Sequence, residues 1–92
     1  MNIYNIVKSE IINIFKENSY ILDDKIIQNI SCEQPKDLIF GDISTNAIML
    51  ISKKFDVDKK TLFLMLKKIL SRNKRYYSIE FVNPGFLNIK LS

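Results

Sequence analysis

The sequence predicts an α+β fold, with a small antiparallel sheet of three or four strands packed against about three helices. Three observations lead there. In three stretches apolar residues recur at three- and four-residue steps, which marks amphipathic helices. The segment around Asn83-Pro84-Gly85 alternates apolar and polar residues on either side of a turn, which marks a hairpin. Hydrophobic residues make up 47% of the 92 residues, and Gly and Pro number two each. The chain therefore has material for one modest core and little for long linkers. Residues 1–92 are read as a single domain.

The first helix is carried by Ile3, Ile6, Val7, Ile11, Ile14 and Phe15, with Lys8, Ser9, Asn13, Lys16 and Glu17 mostly opposite. Asn18-Ser19 ends it. Asp23-Asp24 reads as a helix start or a solvated turn, not a metal site, because no third ligand is near. Ile26–Cys32 reads as a short strand, broken by Pro35, which cannot donate to a ladder. Gly41-Asp42 then opens a second helix, with Asp42 as N-cap, Phe40 as a hydrophobic staple, and Ile43, Ala47, Leu50, Ile51 and Phe55 as its apolar stripe. Asp58 caps a third, with Leu62, Met65, Leu66, Ile69 and Leu70 as the stripe. Tyr77, Ile79 and Phe81 form one strand of the hairpin and Leu87, Ile89 and Leu91 the inward residues of the other.

Composition argues against chemistry in this chain. It has no His, hence no imidazole base or metal ligand, and with two Gly residues no phosphate-cradling glycine loop. The lone Cys32 can form no internal disulfide and reads as a small apolar residue, in keeping with a reducing cytoplasm. No apolar run approaches the ~20 residues of a membrane span. Net charge is +4, unevenly placed. Lys53–Arg75 holds nine basic residues against Asp56 and Asp58, a local +7 that leaves the rest at −3. Such asymmetry suits an anionic partner, although Lys-rich solvated helix faces are also common.

Two constellations stand out. If Leu87, Ile89 and Leu91 face the core, then Phe86, Asn88 and Lys90 share the outward face. A ring, an amide and a cation in a row are what an unstacked nucleic-acid base requires, and Asn83 in the turn is close enough to join. The other arrangement has helices on both faces and Phe86 in the core. The second constellation runs from Pro35 to Asn46. There Phe40, Gly41 and Asp42 shape a tight loop, and Asn46, at the edge of an apolar stripe, either pins that loop or touches a ligand.

Together these stretches carry a family resemblance. The Pro-Lys-Asp-x-x-Phe-Gly-Asp-x-Ser-Thr-Asn run at Pro35–Asn46, the Lys-Lys-Phe at Lys53–Phe55 and the Asn-Pro-Gly-Phe-Leu-Asn-Ile at Asn83–Ile89 resemble, in order and spacing, the N-terminal additional domain of bacterial-type arginyl-tRNA synthetase. The resemblance spans essentially the whole chain. It implies a non-catalytic domain, excised from a longer synthetase, that grips the outer corner of tRNA(Arg) at the D-loop. Carried across by position, the contacting residues are Asn83, Phe86 and Asn88, the last standing where some members have Gln; Lys90 lies on the same face. Lys36, Lys67, Lys68, Arg72 and Arg75 are candidates for backbone-phosphate contacts. The resemblance further implies no cofactor here. ATP, Mg²⁺ and arginine would belong to the catalytic domain of the same chain, whose His-x-Gly-His and Lys-Met-Ser-Lys type sequences are absent. The alternative is a basic protein-interaction module that uses its Lys-rich helical face on an acidic partner.

Overall fold

A computed structural model describes residues 2–92. Helix α1 (Ile3–Glu17) begins where the Asn2 side chain accepts the Asn5 N–H at 2.9 Å, and ends at Asn18. It buries Val7, Ile11, Ile14 and Phe15, as the periodicity predicts, and Ile12 as well.

The strand expected over Ile26–Cys32 is instead a short helix followed by a much shorter strand. Asp23 accepts the Ile26 N–H at 2.9 Å and starts helix α2 (Asp24–Asn29). That hydrogen bond, helped by nearby Lys54, holds the Asp23 carboxyl below its ordinary range. Ile26 and Ile30 are both buried, four residues apart, which is the spacing of one helical turn. Only Cys32–Glu33 is extended, as β1. The alternation of Gln28, Ile30 and Cys32 straddles the helix end and the strand start, so it belongs to neither.

The second helix starts later than expected. Ile43–Thr45 is strand β2, with Ile43 and Thr45 fully buried and Ser44 on the other face, and α3 runs Ala47–Phe55. Asp42 caps no helix. Its N–H donates to the Ile89 carbonyl at 2.8 Å and its carboxylate accepts the Leu91 N–H at 2.7 Å. The N-cap of α3 is Asn46, without a side-chain cap bond, and Thr45 Oγ1 accepts the Ala47 N–H at 3.2 Å just ahead of the helix. Phe40 is no staple either: it is 53% exposed, in a single 3-10 turn, Leu38–Phe40. Helix α4 (Lys59–Leu70) is capped by Asp58 as expected, through the Thr61 N–H at 3.1 Å, and buries Leu62, Leu66 and Leu70.

Strands β3 (Tyr76–Val82) and β4 (Phe86–Leu91) form the hairpin, giving a four-stranded antiparallel sheet in the order β1-β2-β4-β3. An irregularity between Tyr76 and Ser78 reverses the expected facing at the strand start. Tyr76, not Tyr77, is buried, and Tyr77 is 76% exposed. Ile43, Ile79, Leu87 and Ile89 join apolar residues from all four helices in one core. The helices pack against that face. On the other lie Ser44, Ser78, Glu80, Asn88 and Lys90, in register across β2, β4 and β3. Among the described residues no helix is long and apolar enough to cross a membrane.

Candidate nucleic-acid interface

The outward alternation of β4 survives in the structure, with one correction. Leu87 and Ile89 are fully buried, Lys90 is exposed and Phe86 is half-buried. Phe86 neither belongs to the core nor packs against it. Asn88 is less accessible than expected, at 9%. It lies on the face opposite the core, but β4 is a central strand, and Ser44 and Glu80 flank Asn88 from both neighbours. Asn83 is exposed in the turn, where its peptide bond to Pro84 is cis.

The turn is tied to the helical layer. Gly85 is buried at φ 159°, and a Cβ there would sit 2.9 Å from the Met49 Cβ on α3. The Lys59 ammonium donates to the Pro84 carbonyl. Lys59 thus places a cation beside Asn83-Pro84-Gly85, a role that its position within a run of lysines does not disclose.

The two sequence constellations meet in an open cleft of about 240 Å³. Phe86, Ser44 and Glu33 come from the sheet, Lys36 from the loop after β1, and Asn46 and Met49 from the start of α3. Asn46 holds this cleft together. Its Oδ1 accepts the Ser31 N–H at 2.8 Å and its Nδ2 donates to the Asn29 carbonyl at 3.0 Å. What its amide pins is the segment between α2 and β1, not the Phe40-Gly41-Asp42 loop that the sequence suggested. Gly41, at φ 124°, allows its turn to pass so close to β4 that a Cβ would lie 2.7 Å from the Ile89 carbonyl oxygen.

The candidate phosphate-contacting cations do not form one set. Lys36 lines the cleft. Lys67 sits 5.5 Å from the centre of the Phe63 ring, and Phe63 packs on Phe81 from the helical side of the sheet. Lys68 and Arg72 belong to the same helix and its C-terminal turn. Arg75 already has an anionic partner. Its guanidinium is bound by the Glu10 carboxylate, whose other oxygen accepts the Tyr76 hydroxyl. The bond to Tyr76 and the nearby Glu10 charge hold the guanidinium more firmly protonated. Burial, with the Glu10 hydrogen bond, pushes the Tyr76 phenol well above its ordinary value. Burial likewise raises the half-buried Cys32 thiol, away from reactivity. Among the described residues no three His, Cys, Asp or Glu side chains gather as a metal site.

Comparison with known proteins bears on this arrangement. The family described as "Arginyl tRNA synthetase N terminal domain" matches residues 1–91. An arginine–tRNA ligase of Rickettsia bellii (strain OSU 85-389) is 35% identical over 91 residues, covering 99% of this chain and 16% of the relative. That of Rickettsia akari (strain Hartford) is 34% identical, with the same coverage. That of Novosphingobium aromaticivorans is 35% identical over 63 residues, covering 68% of this chain and 11% of its own length. The chain thus spans about a sixth, or less, of the curated relatives it matches.

Proposed function

The chain belongs to the arginyl-tRNA synthetase N-terminal domain family, and from that membership we propose that it is the tRNA-recognition domain of a longer arginine–tRNA ligase. It acts as one domain and grips tRNA(Arg) at the D-loop, on the outer corner of the L. The parent enzyme is cytoplasmic and joins arginine to tRNA with ATP and Mg²⁺, all handled by its catalytic domain.

The observation that carries this reading is the position of Phe86. It stands outside the core, beside the Asn83 turn, in the open cleft that it lines with Lys36, Asn46 and Met49. A ring held this way can stack on an exposed base, with Asn83 and Asn88 offering donors and acceptors to its edge and Lys36 or Lys90 a charge to its phosphate. Asn88, 9% exposed between Ser44 and Glu80, offers only a small part of its amide to such a base. Lys59, not Arg75, is the additional cation near the turn.

The test is Phe86→Ala in the isolated chain, with tRNA(Arg) titrated at several salt concentrations. Stacking is typically worth ~1–3 kcal/mol, so affinity is expected to fall about 5- to 150-fold. Stability is expected to drop by no more than ~1 kcal/mol, because a half-buried ring gives up only part of a full burial term. Lys36→Gln should lower the salt dependence by about one phosphate contact. Unchanged tRNA affinity in a folded Phe86→Ala protein would remove Phe86 from the interface.

A further inference from the structure

The Leu38-Ile39-Phe40 turn has no task in the tRNA reading and no place in the core. Its side chains are 64%, 72% and 53% exposed. Single exposed apolar residues are ordinary, but three consecutive ones are a fault in a soluble surface unless they serve a contact. This tip is also held firmly. The Asp37 side chain accepts the Ile39 N–H at 3.1 Å, the Phe40 N–H donates to the Asp37 carbonyl at 3.1 Å, and the Gly41 N–H donates to the Leu38 carbonyl at 3.1 Å. Beyond it, Asp42 bonds to the backbone of β4 on two sides. Apolar groups presented on a fixed backbone lose little freedom when they are covered, which favours association.

We propose that this tip is the seat of the polypeptide that follows the domain in the complete synthetase. The inference rests on the chain's membership of a family described as N-terminal, in which the matched region is 16% of a relative's length. The remaining polypeptide then lies downstream of β4. The Leu91 N–H is bonded to the Asp42 carboxylate, one residue past the Gly41 that closes the tip, and Ser92 is bonded on its other side to Lys74 and Arg75, so β4 ends between the flank of the tip and the start of β3. Exposed carboxylates at Asp37 and Asp42 bracket the tip. They disfavour an RNA phosphate backbone there and leave an apolar protein surface as the fitting occupant.

The experiment introduces Ile39→Cys and measures the rate at which that thiol reacts with a maleimide, located by peptide mass spectrometry. The rate is read in the isolated chain, and in the Rickettsia bellii ligase whose matching segment is replaced by this chain. A second reading adds the isolated chain to saturating amounts of that ligase lacking the segment, so the outcome does not depend on folding of the fusion. Labelling is expected to slow at least tenfold in either complete form, and to be indifferent to tRNA(Arg) and to the concentration of the isolated chain. Equal rates with and without the downstream polypeptide would overturn the proposal. So would slowing by tRNA alone, which would make the tip an RNA surface, or slowing by self-association. Loss of protection with tRNA binding intact would spare the proposed function; protection with no tRNA binding would do the reverse.

Discussion

Gly41→Ala is expected to destabilise the fold by about 2–5 kcal/mol, a large share of the ~5–14 kcal/mol typical of a domain this size. Two contributions add. At φ 124° and ψ −168°, Gly41 occupies a region nearly closed to L residues, and strain of this kind costs ~1–3 kcal/mol. The new Cβ would also meet the Ile89 carbonyl oxygen at 2.7 Å and its carbon at 3.1 Å. These are backbone atoms of a central strand and cannot swing aside. The turn must move instead, stretching the 2.8 Å bond from the Asp42 N–H to the Ile89 carbonyl and the 2.7 Å bond from the Leu91 N–H to the Asp42 carboxylate. A buried or charge-assisted bond lost in this way costs ~1–2 kcal/mol. Urea unfolding followed by circular dichroism measures the sum, and the midpoint of melting should fall by roughly 10–40 °C. A loss below ~1 kcal/mol would refute the reasoning and return Gly41 to the role of a spacer ahead of a helix cap, where Ala is tolerated.

Two further outcomes follow from the same contacts. Asn46→Ala removes both the bond from the Ser31 N–H and the bond to the Asn29 carbonyl, and should cost ~2–3 kcal/mol in urea unfolding, with the Ser31 amide exchanging its hydrogen faster. Asn46→Asp keeps the acceptor and loses the donor, so its cost should lie between those of the parent and the Ala variant. Tyr76 is neutral when protonated, and folding raises its pKa above the ordinary 10.0. The stability it contributes is therefore complete below pH ~10 and drains away as the pH climbs toward the folded value. Unfolding free energies from pH 8 to 11 should decline in the parent protein, and the decline should be shallower in Tyr76→Phe.

Long periodic segments were readable directly. The faces of α1 and α4, the Asp58 cap and the hairpin all follow from spacing and cap chemistry over ten residues or more. The misreadings fall on short elements whose state is set by distant neighbours. Asp42 looks like an N-cap in sequence because it is an Asp ahead of an apolar run. It is claimed instead by backbone groups of Ile89 and Leu91, which no local window contains. Ile43–Thr45 is extended for the same reason, since its partner strand lies more than forty residues on. At Ile26–Cys32, Ile is a weak guide because it suits buried strands and helix faces alike. In the candidate site, alternation located Phe86 and Lys90 outside the core. It left out how far a central strand covers Asn88. Charge counting found a basic stretch, but only tertiary contacts separate Lys59, at the turn, from Arg75, committed to Glu10.

The order β1-β2-β4-β3 has a consequence for biosynthesis. The last strand to be translated is the one that occupies the middle of the sheet. While a ribosome is still making α3, α4 and β3, strand β2 has only the two residues of β1 beside it, and the groups meant for Ile89 and Leu87 are open. The nascent polypeptide can form its helices early, but it cannot close the sheet until β4 has cleared the exit tunnel. Until then the nascent polypeptide is a helical intermediate in which the edge of β2 meant for β4 stays unpaired.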